Sequence, residues 1–99
     1  MANENAQFRG LFDVIGTASP TVDPAAFVDD ESQVVSVTVA GSALGDVVLV
    51  GPGVDLAEGI VSASVISANT VEIVIAHVGG DTTNLASSTW KVCVLRPQW

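Results

Sequence analysis

Residues able to do chemistry are few and scattered. The chain has one histidine, His77, one cysteine, Cys93, three basic side chains, Arg9, Lys91 and Arg96, and eleven carboxylates. Acid–base catalysis near neutral pH draws on histidine or on carboxylates perturbed by a pocket. His77 closes an alternating apolar run just before Gly79-Gly80, where a structural hydrogen bond is the default reading. A Ser–His–Asp set needs a positioned serine, and no Gly-x-Ser-x-Gly elbow is present. One His and one Cys fall short of the three or four ligands of a zinc site. Cys93 lies inside an apolar strand pattern and reads as a buried structural thiol, not a nucleophile. Asp29-Asp30-Glu31 lacks the alternating spacing and turn glycine of a calcium loop and reads as a solvated turn. Gly51-Pro52-Gly53 lacks the lysine and following helix of a phosphate loop. The inventory implies no enzyme, no metal and no cofactor.

Charge and size narrow the partners. The formal net charge is -8 over 99 residues. Three dispersed cations give little with which to neutralise phosphates, so neither nucleic acid nor an anionic membrane is an expected partner. The acidic excess suits a soluble surface or docking to a basic patch. The N-terminal residues have no basic and apolar signal regions, and no apolar run approaches the ~20 residues of a membrane span. The chain is 48% hydrophobic and 14% charged. That is much apolar surface for one small domain, and it points either to a filled core of small side chains or to a protein interface.

The elements that would position these residues are strands. Residues 34–50 organise the rest. Val35, Val37 and Val39 alternate with Ser36, Thr38 and Ala40, a period of two that puts the valines on one face. Gly41 to Gly45 reads as the turn, with glycines supplying unusual backbone angles. Asp46 opens a second apolar run, Val47-Val48-Leu49-Val50, without alternation, which reads as a strand covered on both faces and paired with the first. Residues 60–66, 71–78 and 89–95 are further strands. Val71, Ile73, Ile75 and His77 share one face, and Trp90, Val92 and Val94 share another. Asn69 sits in a tight connection and tolerates left-handed backbone. Residues 16–24 read as a loop, residues 25–28 as a short apolar piece, and residues 54–58 as one helical turn at most. Short turns with no amphipathic helix between strands predict an all-β, antiparallel β-sandwich or β-barrel over residues 13–99.

Residues 1–12 form an extended N-terminal arm in this reading. Phe8, Leu11 and Phe12 sit close together beside the polar end. Either Leu11-Phe12-Asp13-Val14-Ile15 is an ordinary first strand, or the arm docks onto a neighbour with the aromatics as anchors. Trp90 reads as core. Trp99 either packs back on its own domain or makes an oligomer contact. Phe8, Leu11, Phe12 and Trp99 are thus the candidate interface residues.

The stretch Val39-Ala40-Gly41-Ser42-Ala43-Leu44-Gly45-Asp46-Val47-Val48-Leu49-Val50 resembles a recurring segment of small tailed-phage virion proteins. The likeness continues through Leu56-Ala57-Glu58-Gly59 and Val65-Ile66-Ser67-Ala68-Asn69-Thr70-Val71 and ends at Ser88-Thr89-Trp90-Lys91-Val92. It is similar to the β-rich domain of head decoration (cement) proteins and of some phage head-fibre or tail-fibre modules, which implies a small jelly-roll-like fold. In similar proteins asparagine often stands near the position of His77. The resemblance covers residues 34–95 and implies a structural protein on the outer surface of the capsid. Its expected partners are the major capsid protein and two further copies of itself in a homotrimer. The competing expectation is a trimeric fibre or receptor-binding module that recognises the host.

Overall fold

The computed structural model describes residues 10–25, 31–56, 59–77 and 84–99. They form eight strands: β1 (Phe12–Ala18), β2 (Thr21–Val22), β3 (Ser32–Thr38), β4 (Val47–Gly51), β5 (Gly59–Ser67), β6 (Thr70–His77), β7 (Ser88–Thr89) and β8 (Lys91–Pro97). No helix occurs among the described residues. The strands make two three-stranded sheets, ordered β1-β8-β4 and β3-β6-β5, and a two-stranded ribbon, β2-β7. Every pairing is antiparallel. The antiparallel all-β domain predicted by the patterning is therefore the one that forms, and it is sandwich-like.

The core lies between the inner faces. β6 is the clearest case. Val71, Ile73, Ile75 and His77 are buried, while the residues between them are half-buried. Strict alternation produces this, and β6 sits at the centre of its sheet, flanked by β3 and β5. Burying each of its isoleucines is worth roughly 1.5–3 kcal/mol. From the other sheet come Val92 and Val94, with Trp90 beside them, and Val22, Val65 and Leu85 also belong to the cluster. Val35, Val37 and Val39 turn inward as their spacing predicts, and Val37 and Val39 are buried.

Several sequence expectations are corrected. Residues 34–50 are not a hairpin. β3 pairs with β6, and β4 pairs with β8, so the two halves belong to different sheets. Nor is β4 covered on both sides. It is an edge strand with Val47 and Leu49 exposed. The loop expected over residues 16–24 instead carries the end of β1 and all of β2. The last strand is longer than expected and is broken at Trp90, whose N–H donates to the Pro20 carbonyl (2.9 Å). Of the helical turn expected over residues 54–58, residues 54–56 are not helical and residues 57–58 lie outside the described residues; the Gly59 N–H donates to the Leu56 carbonyl. Cys93 is half-buried and free, on the outer side of the central strand β8. Of the short apolar piece at 25–28, only Ala25 lies among the described residues, and it is not in a strand.

The crossing between sheets is held by side chains. Gly41 and Gly45 have φ of +88° and +96°, and Asn69 has φ of +66°. The Gly41 N–H donates to Asn69 Oδ1 (2.8 Å), and the Asn69 N–H donates to the Ser42 carbonyl (2.9 Å). The buried Ser42 hydroxyl donates to the Val39 carbonyl. On the other side, Asp46 and Arg96 form a fork. Arg96 Nε donates to Asp46 Oδ1 and Nη2 to Oδ2, both at 2.9 Å, and Nη2 also donates to the Gly41 carbonyl. The Ala43 N–H adds a third bond to the carboxylate.

This corner makes stability acid-sensitive. The Arg96 guanidinium holds the Asp46 carboxyl below the usual carboxylate range; partial desolvation opposes this, and the Ala43 N–H assists it. A carboxyl with a lowered folded pKa stabilises fully above its unfolded value, about 3.9, and loses that contribution as pH falls through the folded one. The urea midpoint of Asp46→Asn is therefore expected to lie below that of the parent chain at pH 6 and to converge with it toward pH 3. Parallel pH curves would show that ionisation of Asp46 contributes nothing to stability.

Candidate functional site

The site is best approached through β8. Its inward residues Val92 and Val94 enter the core, yet the outward positions Cys93, Leu95 and Pro97 are not charged either. A strand with apolar side chains on both faces needs two covers. The register supplies its neighbours. Leu95 is flanked by Val14 of β1 and Val47 of β4, Cys93 by Thr17 and Leu49, and Pro97 by Phe12. The outer face of the first sheet is thus a largely apolar surface. Val14 is 58% exposed and Leu49 53%, while Leu95, in the middle, is almost closed over by its neighbours. A β-bulge between Val14 and Gly16 sends Ile15 toward the core and keeps Val14 on the outer face.

The ends of this face differ. At one end Phe12 and Trp99 meet edge to face, with ring centroids 5.4 Å apart and planes at 72°. β1 and β8 are antiparallel, so residues 12 and 97 are partners, and the Gln98 N–H donates to the Leu11 carbonyl. Trp99 remains 82% exposed despite this contact, and Leu11 is 53% exposed. At the other end a groove of about 460 Å³ opens between Thr17, Ser19, Leu49, Gly51, Lys91 and Cys93. Gly51 is opposite Lys91, and its missing side chain leaves the groove open. Lys91 Nζ donates to Ser19 Oγ at 3.3 Å.

The four residues singled out from the sequence are distributed as follows. Phe12 and Trp99 are brought together, and Leu11 lies beside them in the turn that precedes β1. Phe12 is the first residue of β1, as the strand reading of this stretch expects. Trp99 both packs on its own domain and stays open to solvent. Phe8 and the rest of residues 1–9 lie outside the described residues, as do Asp29 and Asp30. Among the described residues, no three His, Cys, Asp or Glu side chains gather where they could hold a metal ion. Sequence reasoning does not reach Val14, Val47, Leu49, Gly51 or Lys91 as site residues. For Val47 and Leu49 the signal is the absence of alternation in residues 47–50, which marks a second apolar face; Val14, Gly51 and Lys91 carry no such local signal and join the face through strand pairing. No family model matches the chain, and neither a curated protein nor a solved structure matches it.

Proposed function

We propose that this chain is a non-enzymatic virion structural protein, a decoration (cement) protein that binds the outer capsid surface as a homotrimer and stabilises the head shell. The observation that carries a binding role is the outer face of the first sheet. It presents Val14, Val47 and Leu49 to solvent beside Phe12 and Trp99. In a chain of net charge -8, the described side chains of this face include no carboxylate. Contiguous apolar surface of this kind marks contact with other protein. The major capsid protein as partner comes from the resemblance of residues 34–95 to phage decoration domains. Leu11 and Phe12 are the anchors, at the end of the face where residues 1–9 join the domain. Three linked contacts would hold a repeating shell far more tightly than one.

The test is sedimentation with capsid shells that lack the protein. Saturable recovery at a fixed number of copies per capsid subunit is expected. Removing residues 1–9, or replacing Leu11 by Asp, should lower recovery while the far-UV circular dichroism stays unchanged. Folded protein left wholly in the supernatant would overturn the cement reading in favour of a fibre module.

A further inference from the structure

We infer that the groove beside Lys91 is a receptor for the Trp99 indole of a second copy of this chain. The inference rests on the self-association named above, not on binding to a shell.

Trp99 is the most exposed of the large apolar side chains described, at 82%. Phe12 fixes it edge-on, so an indole offered to a neighbour loses little freedom on binding. The groove, about 460 Å³, falls within the ~300–1,000 Å³ typical of ligand pockets and has room for a bicyclic ring. Its wall includes Leu49 and Cys93, both apolar, and its rim carries Lys91. An ammonium over an indole face is a favourable cation–π pair, and tryptophan is the best of the aromatic partners. Lys91 is also the one charged side chain described on this face.

The indole must come from another molecule. Lys91 and Pro97 are six residues apart along β8, roughly 20 Å of chain, and Trp99 lies two residues beyond the strand. Phe12 holds the ring at the far end. Each copy therefore carries one donor and one receptor on separate parts of the same face. A contact in which each copy gives to the next and receives from the last is the kind that closes a ring. Gly51 is the specificity element. A Cβ there would sit 3.9 Å from the Lys91 Cβ, an ordinary contact, so the fold accepts a side chain that the groove does not.

The experiment is sedimentation equilibrium of the full chain without shells, with tryptophan emission followed over the same concentrations. Trp90 is already buried, so a concentration-dependent blue shift reports Trp99. Trp99→Ala, Gly51→Leu and Lys91→Gln are each expected to weaken association by about tenfold or more. The Trp99→Ala/Gly51→Leu double variant should be no weaker than the worse single variant, because both remove one contact. Gly51→Leu protein that melts and assembles like the parent overturns the inference, as does assembly without a change in Trp99 emission. A parent chain that stays monomeric also overturns it, while shell sedimentation separately decides the cement reading.

Discussion

Replacing Trp90 by Ala is expected to remove roughly half of the domain's stability. Trp90 is 1% exposed and is among the largest side chains buried completely. It occupies the break between β7 and β8, where it packs in the cluster built from Val22, Val71, Ile73, Val92 and their neighbours. Truncating such a ring removes its transfer free energy and leaves a cavity, a cost of about 3–5 kcal/mol. A domain of this size has on the order of 5–10 kcal/mol in total. Its indole Nε1–H also donates to Ser88 Oγ at 3.0 Å, which ties the ring to β7. Trp90→Phe keeps most of the volume and loses this bond, so it should cost about 1–2 kcal/mol. Urea unfolding followed by far-UV circular dichroism distinguishes the two, since the signal does not depend on the fluorophore being removed. Equal midpoints for Trp90→Ala and the parent would mean that the ring is not the centre of the core.

How much of this was legible in the sequence depends on which property is asked for. Which face a strand buries was legible wherever alternation was strict. Residues 71–77 and 35–39 fold with the inward residues that their spacing predicts. Positive φ was legible too, at Gly41, Gly45 and Asn69, because few residue types adopt it. Pairing was not legible. A Gly-rich connection between two apolar runs looks the same whether it closes a hairpin or carries the chain to another sheet. The deciding groups are Asn69, 28 residues from Gly41, and Arg96, 50 residues from Asp46. Neither distance leaves a local trace in the sequence. The apolar face was half legible. Residues 47–50 lack alternation, which correctly says that both sides of β4 are apolar. Whether the second side is covered within the domain or is left for another molecule is a matter of sheet order, and β4 lies at an edge.

Gly53 shows the same limit from the other direction and gives the second large effect. Residues 51–53, Gly-Pro-Gly, read as a chain breaker, and the strand does end there. The need for glycine at 53 comes from a segment 35 residues later. A Cβ at this position would run into the Thr89 carbonyl oxygen of β7 and would lie 2.9 Å from Ser88 Oγ and 3.0 Å from Ser88 Cβ. The obstacle includes backbone, so β7 or the bend must move. β7 is only two residues long and is held by its pairing with Thr21 and Val22. Gly53→Ala should therefore cost about 1–3 kcal/mol, the range for overpacking, although it adds one methyl group at an exposed position. Gly51→Ala, two residues earlier, meets nothing closer than 3.9 Å and should change the urea midpoint little, which makes it the control. The displaced residue, Ser88, is also the acceptor for Trp90 Nε1–H, so the two sites should be coupled. In Trp90→Phe, where that bond is already gone, Gly53→Ala is expected to cost measurably less than in the parent chain. Additive costs across this double-mutant cycle would place the damage in the bend at residue 53 itself, and the link from Gly53 through β7 to the core would be wrong.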